Sequence, residues 1–392
     1  MSGRRGVGGV LGTVLFVALA TGGSACASRE TGTSAVTSVA ADVTAPTAVL
    51  PPSVGRTFYV SPAGSDVAAG TLTRPWRTIQ KAVDSLRPGQ RALVRAGTYA
   101  EDLIVARGGK KGSPITIAAK PGERVILHAA STSGDTYPLR ITTGAKYVRV
   151  RGFVIEYARG TSSTNVYFEG SAHHIELNEN EIRYSQDQGI FSERTTSNLV
   201  ILRNSIHHNG LGHEPGQHQS HGIYLEGTDH YVANNAVYDH RYGFGIQVYP
   251  ANSGSVIVNN TVAGSAHSGI VVGGDAGVSD ITIRNNILAF NLKYGVQMDT
   301  DCPEGPVVVD TNVIFGNPSG PIEKGCSQLE SSGGNIYADP RFVARRLDDF
   351  RLRRGSPAID RARADYAPPN DFYGTRRPIG AGDDIGAFER RP

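Results

Sequence analysis

Three glutamates, Glu169, Glu193 and Glu226, each follow by two residues an aromatic side chain, Tyr167, Phe191 and Tyr224. Carboxylates beside phenols are residue types for general acid and base work, and a pair of carboxylates can also bind Ca²⁺ or cleave a glycosidic bond as acid and nucleophile. Between Asn204 and Gly222 lies a histidine-rich stretch with His207, His208, His213, Glu214, His218 and His221. No spacing within it matches a zinc pattern. His221 and Tyr224 flank Gly222-Ile223 and lead straight to Glu226, which makes these three the strongest candidates for chemistry. Tyr238, Asp239, His240, Arg241 and Tyr242 follow, with Lys293 further on.

These residues need a scaffold that brings distant segments side by side, and an internal repeat supplies it. An asparagine followed two residues later by an aliphatic recurs at Asn180, Asn204, Asn235, Asn260, Asn286 and Asn312, and a second series, glycine then aliphatic, runs in phase at Gly189, Gly222, Gly245, Gly269 and Gly295. Between the markers, short runs alternate apolar and polar, which is strand periodicity. A period of about 25 residues made of short strands and turns is one coil of a parallel β-helix. Parallel crossovers are almost always right-handed, so the expected fold is all-β, a right-handed parallel β-helix. Inward asparagines stacked one per coil would satisfy turn backbone groups.

Alternation after each glycine points two columns outward. One is Tyr167, Phe191, Tyr224, Gln247, Val271 and Gln297; the other is Glu169, Glu193, Glu226, Tyr249, Gly273 and Asp299. Like charges in adjacent coils are unfavourable unless a cation, a proton or a cationic ligand lies between them, the bland alternative being a solvated polar face. The stretch from Asn204 to Gly222 is longer than its counterparts and reads as an inserted loop overhanging this sheet.

Upstream, Thr78 to Leu86 places Ile79, Ala82, Val83 and Leu86 on one helical face, a cap for the first coil. Residues 1–26 have the form of an export signal, with Arg4, Arg5, an apolar run and Gly23-Ser24-Ala25-Cys26, whose cysteine is a candidate lipid anchor. Residues 27–55 are Ser, Thr, Ala, Val and Pro, the composition of a disordered tether. The β-helix with its cap is expected over 56–335 and a closing segment over 336–392. Cys302 and Cys326 are one coil apart, and coils stack at roughly 4.8 Å, within disulfide reach. The net charge of +3 falls by two with the leader, which argues against nucleic acid and against a membrane partner other than an anchor at Cys26.

Tyr59-Val60-Ser61-Pro62-Ala63-Gly64-Ser65-Asp66, Thr78-Ile79-Gln80-Lys81-Ala82-Val83 and Ala96-Gly97-Thr98-Tyr99 resemble the opening of secreted β-helix proteins that include pectate lyases and related polysaccharide lyases. Asp339-Pro340-Arg341-Phe342, Gly355-Ser356-Pro357-Ala358-Ile359-Asp360 and Asp384-Ile385-Gly386-Ala387-Phe388-Glu389 resemble the closing segment of such proteins. The stretch from Gly222 to Asn260 is similar to coils of mannuronan C5-epimerases, although Phe191-Ser192-Glu193 stands where those enzymes carry Asp-Pro-His. The aspartate clusters that hold Ca²⁺ in the related pectate lyases are absent from these strands.

The expected activity is therefore that of an extracellular polysaccharide lyase acting by β-elimination on a uronate-containing glycan, with no organic cofactor and as a monomer. In this scheme Glu193 and Glu226 hold Ca²⁺, His221 or Tyr224 removes the C5 proton and Arg241 steadies the charge, while Tyr167, Phe191, Tyr242, Gln247 and Tyr249 bind sugar. A glycoside hydrolase using Glu193 and Glu226, and a non-catalytic glycan-binding protein, are the alternatives.

Overall fold

In a computed structural model of the chain, the described residues are 49–391 apart from 132, 213–219, 275 and 331–332. The expectations for the leader, Cys26, His213, Glu214 and His218 thus lie outside the described residues, as does nearly all of the proposed tether.

Short parallel strands wind into coils that build three faces of a right-handed β-helix. A front sheet runs from Leu103–Val105 to Gly320–Ile322, a back sheet from Thr57–Val60 to Leu329–Glu330, and a nine-stranded side sheet from Gly97–Ala100 to Val313–Phe315. The aliphatics of the repeat, Ile182, Ile206, Val237, Val262, Leu288 and Ile314, stack inside at no more than 2% exposure.

The asparagine ladder forms as the repeat implies. The Nδ2 of Asn180 donates to Oδ1 of Asn204 at 3.1 Å, and the pattern continues through Asn235, Asn260, Asn286 and Asn312 to Asn335, at 2.9–3.1 Å. A second, broken ladder was not legible: Asn165 donates to Asn209 at 3.2 Å and Asn291 to Asn317 at 3.1 Å, with His240 and Ser265 buried in the intervening coils. These residues explain the glycine series. A Cβ on Gly222 would stand 2.4 Å from Nε2 of His240 and 2.6 Å from the carbonyl of Gly245, so the position admits no side chain.

The capping helix spans Ile79–Ser85, buries Ile79, Ala82 and Val83, and begins at Thr78, whose hydroxyl accepts from the Lys81 N–H. Glu101 accepts the N–H groups of Ile79 and Gln80, two donors that a helix start leaves without partners. Cys302 and Cys326 are joined as a disulfide with their Cα atoms 5.6 Å apart. Among the described residues no helix is long and apolar enough to cross a membrane.

Two segments lie along the coils. Residues 49–55, assigned to the tether by composition, lie against the back sheet: the Leu50 N–H donates to Glu176 at 2.9 Å and Ser53 donates to the Pro114 carbonyl at 2.8 Å. Composition does not register these contacts, since a single buried leucine, its backbone N–H and one hydroxyl hold the segment. The C-terminal segment forms a small antiparallel pair, Phe342–Ala344 and Asp349–Leu352, and folds back over the side sheet. There Phe342, Phe350, Leu352, Ile385 and Phe388 cover Ala236, Tyr238, Ala263, Ile287, Ala289 and Val313.

Candidate functional site

The front sheet carries the first outward column in the expected register: Arg140 pairs with Tyr167, Tyr167 with Phe191, Phe191 with Tyr224, Tyr224 with Gln247, Gln247 with Val271, and Val271 with Gln297. The aromatic members stack on one another. Ring centroids are 5.0 Å apart for Tyr137 and Tyr167, 5.5 Å for Tyr167 and Phe191, and 5.0 Å for Phe191 and Tyr224. Both faces of the Phe191 ring are therefore occupied by neighbours, so only its edge is free. Beyond Tyr224 the column closes: Gln247 and Val271 are buried, so neither offers the surface that outward alternation implied.

The glutamates do not form a bare acidic row, because each has a partner of its own. Arg140 donates to Glu169 at 2.8 Å, Glu193 accepts from the Tyr167 hydroxyl and from the Gly170 N–H, and Glu226 lies 3.8 Å from the Nε of Arg194. Burial raises the Glu226 carboxyl above its ordinary value, with Arg194 opposing and Glu193 adding to the rise. Burial and then the Glu226 charge push the Tyr224 phenol up. Tyr224 and Glu226 thus share one patch of the strand Ile223–Thr228 and feel each other's charge.

The neighbouring strand bulges at this point. Leu225 pairs with Val248 and Gly227 with Asn252, so Glu226 faces Tyr249, Pro250 and Ala251 together. Simple alternation places Tyr249 in the second column; the bulge removes it from that register. Bulges recur beside active sites, where they re-aim side chains. The turn after Glu226 needs glycine: Gly227 has φ +97°, and a Cβ there would stand 2.3 Å from the Thr196 carbonyl. The Glu226 carbonyl is clasped by the Ser192 hydroxyl at 2.9 Å, the Thr196 hydroxyl at 3.4 Å and Nε2 of His230 at 2.7 Å. His230 is enclosed and accepts the Leu199 N–H on Nδ1, which fixes its neutral Nε2–H tautomer.

His221 comes to this patch, but as a packed residue. It is 2% exposed, its Nδ1 accepts the Phe244 N–H at 3.2 Å, and its ring stands edge-on to Tyr224 at 5.5 Å. The proton is then on Nε2, and the imidazole orients the Tyr224 ring. His207 and His208 belong elsewhere: His207 ends the side-sheet strand Ser205–His207 and stacks on Tyr238 at 4.7 Å, with His208 beside it. Counting the insertion from Asn204 misassigned them, because the coil completes its side strand before the loop departs.

Arg241 lies over the ring of Tyr242 at 5.2 Å, with its backbone bonded to Asn209; the guanidinium beside Glu226 and Tyr224 is that of Arg194. Arg194 and Arg140 escaped sequence reasoning for different reasons. Arg194 sits just past the strand, where alternation stops, and Arg140 precedes the first repeat marker.

Asp187 is a further residue that the columns do not contain. It precedes the strand Gln188–Ser192, and burial pushes its carboxyl up to about 7, with the Ser220 hydroxyl opposing and Asp135 adding to the rise. Gln188 accepts the His221 N–H at 2.7 Å, so Asp187 lies one residue from the support of His221. The folded chain retains this proton over pH values where the unfolded chain has released it, so stability falls as pH rises from about 4 to about 7. Asp187→Asn is expected to raise the urea midpoint at pH 7.5 and to leave it nearly unchanged at pH 4.

As folded, the Glu193 and Glu226 carboxylates are engaged by Tyr167, Gly170 and Arg194, and among the described residues no group of three His, Cys, Asp or Glu could hold a metal ion. A pre-formed Ca²⁺ cage does not fit this donor set.

Residues 58–319 match the family described as Pel9A-like, right handed beta helix region. The chain belongs to the Pel9A-like β-helix family. Among curated proteins, this Pel9A-like chain is 32% identical over 135 residues to the uncharacterized protein YwoF of Bacillus subtilis, covering 33% of the chain and 29% of YwoF. It is 36% identical over 89 residues to pectate lyase PEL9 of Emericella nidulans, covering 22% of each. The matches thus span less than a third of either relative. Among solved structures, pectate lyase Pel9A superposes with a TM-score of 0.63 at 16% identity, over 88% of this chain and 98% of that one. A glycoside hydrolase gives 0.52 at 10% identity, over 72% and 96%. At such identities the structural likeness shows the shared fold.

Proposed function

We propose that this Pel9A-like protein is an extracellular polysaccharide lyase that cleaves a uronate-containing glycan by β-elimination on the front sheet. The observation that carries the reading is the grouping of Glu226, Tyr224 and Arg194, a half-buried carboxyl with its pKa raised, a phenol kept protonated, and a cation 3.8 Å from that carboxyl.

In this reading Arg194 faces the uronate carboxylate, which lowers the cost of negative charge developing at C5. Glu226, a stronger base for being desolvated, takes the C5 proton. The electron pair of that C–H bond forms the C4–C5 double bond as the C4–O bond breaks, and the Tyr224 hydroxyl protonates the departing oxygen. His221 holds the Tyr224 ring, and His230, Ser192 and Thr196 hold the Glu226 backbone. Tyr167 and Phe191 form the wall along which the chain lies. Where Ca²⁺ contributes, Glu193 and Glu226 would share it with substrate and water, since among the described residues no group of three His, Cys, Asp or Glu could hold it alone. Export, a monomeric state and anchoring through Cys26 complete the proposal.

The test is growth of ultraviolet absorbance from unsaturated uronate when residues 49–392 are incubated with polygalacturonate, alginate and rhamnogalacturonan, with Ca²⁺ or with chelator. Absorbance that rises equally under chelator supports the metal-free scheme, and a rise only with Ca²⁺ assigns the shared site. Reducing ends without unsaturation would instead establish hydrolysis through Glu193 and Glu226.

A further inference from the structure

We propose that the C-terminal segment carries a second glycan site, an arginine cleft that binds a polyuronate strand away from the front sheet. The cleft encloses about 450 Å³ and is lined by Arg341, Arg345, Arg353 and Arg354, with Phe290 and Asp339. Its position follows from the fold-back: Phe290 immediately follows the side-sheet strand Ile287–Ala289, and the four arginines flank the two strands of the antiparallel pair.

Three observations point to an anionic ligand. The cleft has four guanidiniums against one carboxylate, in a chain whose whole formal charge is only +3. Among the described residues none of the four has a carboxylate within ion-pair distance, whereas neighbouring Arg351 is neutralised by Asp349 at 2.6 Å. All four are exposed, and Arg345 is fixed by lying over the Phe290 ring at 4.2 Å, so its fork is presented in one orientation. Planar forks of this kind match carboxylates two bonds at a time, and a strand with a carboxylate on each sugar offers one per arginine. The volume is that of an ordinary ligand site, roughly 300–1,000 Å³. The choice of a polyuronate over another polyanion rests on the function proposed for the front sheet; the anion site itself does not.

The experiment is affinity electrophoresis of residues 49–392 through gels cast with polygalacturonate, alginate, neutral galactan or inorganic polyphosphate. Wild type is expected to be retarded by a polyuronate and not by galactan, less so as salt is raised. Arg341→Ser/Arg345→Ser/Arg354→Ser is expected to bind at least tenfold more weakly while its melting temperature and its turnover of a short oligomer are unchanged. Arg354→Glu, which removes a side chain with no hydrogen bond among the described residues, serves if the triple variant does not fold. Retardation of the arginine variants within twofold of wild type would overturn the proposal, as would retardation by polyphosphate that polyuronate does not compete away. Because binding is read without turnover, a front sheet that proves inactive leaves the cleft standing. Loss of retardation in Glu226→Gln, by contrast, would move the binding to the front sheet and overturn the cleft.

Discussion

Glu226→Gln is expected to lower turnover of the cleaved glycan by about 10²–10⁴-fold, the range general acid and base groups supply, with little change in melting temperature. The replacement keeps the shape and removes the charge. Glu226 is held by its backbone, through Ser192, Thr196 and His230, so the strand does not depend on the carboxylate that is lost. The pH profile adds a second readout. A base must be ionised to act, and burial places the Glu226 carboxyl above its ordinary value, so the acid limb of kcat/KM should lie above pH 4.5. Arg194 opposes that rise. Arg194→Gln should therefore move the acid limb to still higher pH, which a merely structural arginine would not do, while weakening KM for a carboxylate substrate.

The second large effect is acid lability from two imidazoles inside the coils. Burial holds His230 down at about 4, and burial followed by the nearby histidines holds His240 down at about 3. In the unfolded chain each takes up a proton near its ordinary 6.5, while the folded chain refuses it until far lower pH. The unfolded state therefore binds more protons below pH 6.5, and stability is lost as pH falls, until it levels off near pH 4 for His230 and pH 3 for His240. Each group contributes on the order of 3–5 kcal/mol across its window, while Asp187 and Asp384, pushed up by burial to about 7 and about 6, offset much of the wild type's net dependence with the opposite slope. The urea midpoint of the wild type relative to that of His240→Asn should therefore fall from pH 7 through 5.5 to 4.5. His240→Asn restores the residue type found at this place in the coils of Asn209, Asn291 and Asn317, and should flatten the dependence by one group. An unchanged slope in that variant would show that His240 is not the neutral interior imidazole described.

The fold was legible because its signal is repeated. Each coil restates the same asparagine, glycine and aliphatic, so errors in one coil are corrected by the next, and the column from Tyr167 to Gln297 follows by counting. The site was legible only where it obeys the repeat. Tyr224 and Glu226 were found by alternation, but the bulge opposite Glu226 breaks alternation and displaces Tyr249 from the column. Arg194 lies on a turn, where no periodicity operates, and side-chain pairing across coils decided its role and that of Arg140. His207 and His208 shared composition with the insertion but not position. The clasp by His230 could not be read at all, since a histidine on the back face carries no mark of what its ring will bind.

The fold-back of the C-terminal segment changes how the molecule should come apart. A stack in which each coil touches only its neighbours can fray from either end, one coil at a time. Here one continuous apolar seam spans the side-sheet strands that begin at Ala236, Thr261, Ile287 and Val313, so these four rungs must open together. At the other end Leu50 and Ser53 tie the back-sheet strands of Thr116 and Glu176. A load applied at residue 49 would peel that short N-terminal strip one bond after another, whereas the C-terminal seam must be sheared as a whole. The rungs bearing Tyr249 and Gln297 would then hold while the first coils unravel, giving a folding unit whose boundary falls close to Glu226.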